Sequence, residues 1–221
     1  FVYHEMIAHV PLFLHPRPRR VLVIGGGDGG TVREVLRHKT VELCVLVEID
    51  GQVVAVSKKY IPQTAAAFSS RRAQVRIEDG VKFVRETSER FDVILVDSTA
   101  PSGPAKELFG ASFYKDVRRI LTEHGIVVSQ AGSPFYDSGT IKNLAKILKA
   151  VFPVSDAYLF TNLTYPGGLW AFAYASKGIH PVRHFNSGRV KSARLPLRWY
   201  NAEVHVGAFA LPEFLRKVVG R

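Results

Sequence analysis

Apolar residues recur along this chain in two rhythms. Nearly unbroken runs rich in Val, Ile and Leu fall at residues 21–24, 43–48, 73–77, 93–97, 125–130, 154–160 and 169–176. Short runs of this kind read as strands buried on both faces. Between the first five lie stretches with apolar residues three and four apart, at 30–38, 52–60, 81–87 and 112–121, and another at 138–151 precedes the sixth run. That spacing predicts amphipathic helices. Strands alternating with helices predict a mostly parallel sheet covered on both faces. The last two runs are joined only by residues 161–168, which contain Pro166-Gly167-Gly168. The link is too short for a helical crossover, so these two strands are predicted to be antiparallel. Residues 6–14 predict a short helix before the first strand, and 211–219 a terminal helix with Pro212 in its first turn. The intervening 177–210 reads as a basic loop region, and no internal repeat or low-complexity segment is visible.

Chemistry concentrates at the ends of the first four runs. The first ends in Gly25-Gly26-Gly27-Asp28-Gly29-Gly30, and the second closes on Glu48-Ile49-Asp50. Glycines such as Gly25 and Gly27 let the backbone turn tightly and approach a ligand without side chains in the way. An acid about 20 residues further on, here Glu48, is placed to accept hydrogen bonds from ribose hydroxyls. Asp79-Gly80 follows the third run and suits an adenine amine, with Gly80 permitting close approach; Asp79 also suits a helix N-cap, and both roles can hold together. Asp97 closes the fourth run. In open α/β sheets ligands bind beyond the carboxyl ends of the strands, so these acids converge on one nucleoside site.

Asp28 narrows the choice of nucleoside. An ordinary methyl donor carries an amino-acid carboxylate, and a second carboxylate about 4 Å away costs on the order of 4 kcal/mol at an effective dielectric near 20. A donor without that carboxylate but with a terminal ammonium is attracted instead. Decarboxylated S-adenosylmethionine is such a donor, and its transferable group is a three-carbon aminopropyl chain. Asp97, followed by the Pro/Gly-rich stretch 98–105, is a candidate general base. A primary amine has a pKa near 10.4 and must lose a proton before it attacks carbon. A carboxylate beside aromatic hydroxyls can orient the amine and take that proton.

Composition alters this picture little. Among 221 residues the formal net charge is +11, but the Lys and Arg residues are dispersed. No zinc-ligand spacing or aromatic-interleaved basic strand accompanies them, which argues against a nucleic-acid partner. No apolar run approaches the roughly 20 residues of a membrane span. The lone Cys44 lies in a predicted buried strand and reads as a small core residue, in keeping with a reducing cytoplasm. A cationic protein that takes a cationic substrate needs local carboxylates to attract it.

The chain resembles the polyamine aminopropyltransferases, the spermidine synthases. The matching segments are Tyr3-His4-Glu5-Met6, the glycine loop with Arg33-Glu34-Val35, Glu48-Ile49-Asp50, Val56-Ser57-Lys58-Lys59-Tyr60, Asp79-Gly80, Val96-Asp97-Ser98-Thr99, Gly103-Pro104-Ala105, Gln130, and Thr164-Tyr165-Pro166 with Gly168-Leu169-Trp170. They run in family order over about residues 1–176. The resemblance implies a Rossmann-like, seven-stranded methyltransferase-type sheet with an antiparallel last strand. It implies a lead-in segment at 1–19, a catalytic domain at 20–176 and a C-terminal extension at 177–221. A small N-terminal β domain, usual in the family, lies outside this chain, which opens on Phe1.

The implied reaction moves the aminopropyl group of decarboxylated S-adenosylmethionine to putrescine, giving spermidine and methylthioadenosine, with no tightly bound cofactor and no metal. Asp97 is implied as the proton acceptor, with Tyr165 and Tyr3 beside it. Glu48, Asp79, Gly80 and Pro104 are implied to hold the nucleoside, and His4, Asp28 and Tyr165 to line the aminopropyl and polyamine channel. A homodimer or homotetramer is implied for the full-length protein. Three departures bear on the acceptor. Ala100 and Gly132 stand where the family often has acids, and Gly167 where it has Ser. Losing acids weakens binding of a dication, so the acceptor can differ from putrescine. Two alternatives stay open: a small-molecule methyltransferase on the same fold, and a non-catalytic binding protein descended from it.

Overall fold

The branched apolar runs become seven strands of one sheet in the computed structural model, which describes residues 1–99, 103–162 and 164–221. They are β1 (Arg20–Gly25), β2 (Leu43–Glu48), β3 (Ala73–Ile77), β4 (Phe91–Asp97), β5 (Leu121–Gly132), β6 (Val154–Thr161) and β7 (Leu169–Ser176), in the order β3-β2-β1-β4-β5-β7-β6. Pairings among β1 to β5 are parallel, and β7 runs antiparallel between β5 and β6. The predicted architecture is therefore present, including the reversed last strand. β5 is longer than the run at 125–130. It starts at Leu121, which pairs with Phe91 across a register shift, so Leu121 leaves the predicted helix and joins the sheet.

Ten helices flank the sheet among the described residues: α1 (Val2–Leu14), α2 (Gly30–Arg37), α3 (Gly51–Tyr60), α4 (Pro62–Ala65), α5 (Gly80–Glu86), α6 (Ala111–Ile120), α7 (Ser138–Val151), α8 (Ser187–Ala193), α9 (Ala202–Ala208) and α10 (Glu213–Val219). Side chains alternate between the two sheet faces. Val21 and Val23 of β1 face a core shared with α1, α2 and the C-terminal segment. Leu22 and Ile24 face a second core shared with α5, α6, α7 and α10. In α7 the buried Ile141, Leu144, Leu148 and Val151 follow the helical spacing.

Three sequence expectations need correction. α1 begins at Val2 rather than at residue 6, so Tyr3 and His4 are helical residues. All of its residues but Tyr3 and His4 are buried, and burial nearly all round erases the polar stripe that marks an amphipathic helix. The region 177–210 is not all loop, because it contains α8 and α9. Each starts at an asparagine, Asn186 or Asn201, whose side chain accepts a backbone N–H of the first turn. Finally, α10 starts at Glu213 with Pro212 as its N-cap, outside the helix. Leu211 is held extended by the following proline, which delays the helix start.

The first helix is tied down at two positions on its buried face. Glu5, 2% exposed, accepts backbone N–H groups of Arg198, Trp199 and Tyr200 at 3.0, 2.9 and 2.9 Å. One turn on, His9 bridges α1 to α2, with Nε2 3.1 Å from Glu34 Oε2 and Nδ1 2.8 Å from His38 Nε2. Burial alone would raise Glu34, but His9, Arg37 and Arg33 hold it at about 2. Burial pushes His38 down to about 3, so it is neutral and able to accept from His9. These ties fix α1, and with it Tyr3 and His4, against the C-terminal half of α2 and the segment 198–200.

Candidate active site

The strand order reverses between β1 and β4, so the loops that follow them diverge and leave a crevice at their carboxyl ends. Gly25 and Asp97 are register partners at that mouth. A cavity of about 940 Å³ occupies the crevice, a size that suits a nucleoside with a short chain attached. Its described lining includes Gly25, Gly27, Asp28, Glu48, Asp79, Gly80 and Asp97 from the strand ends, and Tyr3, His4 and Tyr165 from α1 and the β6–β7 loop. Of the residues proposed from the sequence, only Pro104 is not seen there. It sits in a 3-10 turn spanning Gly103–Phe109, and its side chain lies outside the described residues, as does Ala100.

The charge of the lining is the opposite of the protein's. Four carboxylates, Asp28, Glu48, Asp79 and Asp97, face the cavity, and no Lys or Arg is among the described lining residues. In a chain of net charge +11 this produces a local negative field.

Each carboxylate is held differently. Glu48, 8% exposed, accepts the Gly27 N–H at 3.1 Å through Oε2 and the Asp50 N–H at 3.0 Å through Oε1. Each oxygen keeps a lone pair for a sugar hydroxyl. Asp79 Oδ1 caps α5 by accepting from Val81 and Lys82 N–H at 2.7 and 3.1 Å, and among the described residues no hydrogen bond occupies Oδ2. The two readings of Asp79 are thus compatible in geometry. Asp28 Oδ1 accepts the Gly30 N–H at 2.8 Å, while Oδ2 lies 3.2 Å from His4 Nε2. Burial alone would raise Asp28, but His4, the Gly30 N–H and Arg33 outweigh it and hold the carboxyl below its ordinary value.

Asp97 sits deepest. Tyr3 Oη lies 2.5 Å from Oδ1, and the Thr31 hydroxyl donates to Oδ2 at 2.6 Å. Tyr3 Oη also lies 3.1 Å from the side-chain amide of Gln130. The single phenolic proton goes to the shorter, charge-assisted contact with Asp97. Burial raises the Asp97 carboxyl above its usual range despite the opposing bonds from Thr31 and Tyr3, which favours proton uptake. Burial and the Asp97 charge push the Tyr3 phenol well above its ordinary value, so it remains a donor. Tyr165 stands half-exposed at the rim, its ring 4.7 Å from that of Trp170. The sequence marks Gln130 as a motif residue without a role, and no signal in it marks Thr31. Gly132 rests against the Asp137 carboxylate, which accepts the Ser133 N–H.

Two glycines make this packing possible. Gly26 has φ 70°, and a methyl there would come 2.5 Å from Asp97 Oδ2. A methyl on Gly30 would run into the His4 ring. The His4 ring can swing away, so Gly30→Ala is expected to leave the melting midpoint nearly unchanged while separating His4 from Asp28. The loss of one charged hydrogen bond at the site corresponds to about a tenfold weaker donor affinity, which isothermal titration of the variant checks.

Comparison with known proteins gives a consistent result. Residues 1–185 match the family model described as the spermine/spermidine synthase domain. A polyamine aminopropyltransferase of Thermotoga petrophila is 47% identical over 221 residues, covering 100% of this chain and 75% of the relative. One from Caldicellulosiruptor saccharolyticus is 49% identical over 219 residues, covering 99% and 78%. A spermidine synthase solved with the transition-state analogue AdoDATO superposes with a TM-score of 0.97 at 45% identity, covering 99% of this chain and 75% of that one. The spermidine synthase of Thermotoga maritima gives 0.92 at 44% identity, covering 99% and 74%. Among the described residues no helix is long and apolar enough to cross a membrane, and no group of three metal-ligating side chains is assembled. By fold, by site and by sequence, the chain belongs to the spermine/spermidine synthase family of aminopropyl-transferring enzymes.

Proposed function

We propose that this chain moves the 3-aminopropyl group of decarboxylated S-adenosylmethionine to a primary amine of putrescine, giving spermidine and methylthioadenosine. The observation that carries the reading is the cavity lining, with four carboxylates and no described Lys or Arg. A donor and an acceptor that are both cationic suit such a lining. The carboxylate tail of S-adenosylmethionine would meet four carboxylates and no Lys or Arg among the described lining residues, which counts against methyl transfer.

In this reading Glu48 accepts from the ribose hydroxyls, and Asp79 accepts from the adenine amine beside Gly80 and Pro104. Gly25 and Gly27 let the backbone close on the nucleoside. Asp28, with His4, holds the ammonium of the aminopropyl tail. The acceptor amine lies between Asp97 and Tyr165, where its nitrogen attacks the carbon next to the sulfonium. The new C–N bond forms as the C–S bond breaks, the electron pair neutralises the sulfur, and Asp97 takes the surplus proton from nitrogen. Tyr3 orients Asp97 throughout. Alignment of the two substrates then supplies most of the acceleration. The catalytic residues fall within and just before a domain at 20–176, and the full-length protein is taken to be a cytoplasmic homodimer or homotetramer.

Product analysis with a panel of putrescine, cadaverine, agmatine and spermidine tests the assignment. Spermidine and methylthioadenosine from putrescine are the expected products. A methylated product, or no product with any amine, overturns the reading, whereas preference for another amine overturns only the acceptor.

A further inference from the structure

The proposed proton acceptor is gripped by two hydroxyls, and only Tyr3 had been singled out from the sequence. The other belongs to Thr31, fully buried in the first turn of α2, whose Oγ1 donates to Asp97 Oδ2 at 2.6 Å. On the functional reading above, we propose that Thr31 is a positioning residue for aminopropyl transfer, fixing Oδ2 of Asp97 so that the carboxylate's remaining lone pairs face the incoming amine.

Three features support this. A threonine hydroxyl within a helix commonly returns to a carbonyl three or four residues back. At Thr31 the short bond crosses instead to a strand end 66 residues away. Gly26 closes the other side of Oδ2, where even a methyl would approach to 2.5 Å. With Tyr3 holding Oδ1, rotation of the carboxylate is blocked at both oxygens. The β-methyl of Thr stiffens χ1, so the hydroxyl is preset rather than recruited.

Among the described residues the groups facing Asp97 are few. Tyr3 and His4 come from α1, Asp28 from the loop after β1 and Thr31 from α2, while Gln130 of β5 reaches it through Tyr3. Burial and Asp28 raise the Asp97 carboxyl, and Thr31, Tyr3 and His4 oppose them. Removing the Thr31 hydroxyl takes away one opposing hydrogen bond, so Asp97 becomes easier to protonate.

The test compares wild type with Thr31→Val, nearly isosteric, and Thr31→Ser, which restores the hydroxyl. The side-chain carboxyl of Asp97 is titrated by carbon-13 NMR, and kcat and donor KM are measured across pH with putrescine. For Thr31→Val the Asp97 midpoint is expected to move up by about one unit. Its kcat is expected to fall about 10- to 100-fold, with the acid limb shifted in the same direction and the donor KM within about twofold. Thr31→Ser is expected to recover most of kcat and the wild-type midpoint. An unmoved midpoint in Thr31→Val, or equal impairment of Val and Ser variants, overturns the proposal. The titration does not depend on turnover. A wild type that transfers nothing therefore sinks the functional reading, while the midpoint shift still decides whether Thr31 holds the Asp97 carboxylate.

Discussion

Asp97→Asn is expected to lower kcat by about 10²- to 10⁴-fold, the range for loss of a general base, with donor affinity within a few-fold of wild type. The change is nearly isosteric, and the amide oxygen still accepts from one of the two hydroxyls that now hold the carboxylate, Tyr3 or Thr31. What disappears is a group able to take a proton from the attacking amine. Donor binding should survive because Glu48 and Asp79 are fixed by contacts that do not involve Asp97, Glu48 by the N–H groups of Gly27 and Asp50 and Asp79 by those of Val81 and Lys82. Steady-state kinetics together with calorimetric donor binding separate the two effects. Near-normal turnover would remove Asp97 from the role given to it, and a parallel collapse of donor binding would make its role structural.

The largest stability effect is expected outside the cavity, at Glu5. Its carboxylate accepts three consecutive backbone N–H groups, those of Arg198, Trp199 and Tyr200, in a site only 2% exposed. Glu5→Ala strands those donors where water has little access. At about 1–3 kcal/mol for each unsatisfied buried group, with partial relaxation, unfolding free energy should fall by about 3–5 kcal/mol. Glu5→Gln keeps one acceptor oxygen and should cost less. Chemical denaturation of the two variants checks this, and an unchanged midpoint for Glu5→Ala would contradict it. Because Glu5 directly follows Tyr3 and His4 in α1, the folded fraction of the Ala variant should also turn over more slowly.

Legibility of the sequence followed how local the signal is. The bounds of β2, β3, β7 and α7 coincide with the expectations because a run of apolar residues is itself what places a strand or helix against the core. α8 escaped notice because none of its residues is buried, so it carries no apolar stripe, and its sole local mark is the Asn186 cap. The strand-end acids were legible because the fold brings all carboxyl ends of the parallel strands to one side. The support of Asp97 was not. Its contacts reach 94 residues to Tyr3 and 66 to Thr31, and a threonine inside a helix looks the same whether it points to solvent or to a reacting carboxylate. Tyr3 was found only through the family resemblance.

The central claim is that a carboxylate-lined cavity, with no Lys or Arg among its described lining residues, selects a donor whose tail carries only positive charge. Asp28 is partly exposed, with 40% of its side chain accessible, so its effect on a second carboxylate is discounted from the interior estimate to about a tenfold change in affinity. The direct measurement is calorimetric binding of decarboxylated S-adenosylmethionine and of S-adenosylmethionine to wild type and to Asp28→Asn. The account predicts that wild type binds the decarboxylated donor at least about tenfold tighter, and that Asp28→Asn narrows the gap by weakening it. Equal or tighter binding of S-adenosylmethionine by the wild type would contradict it.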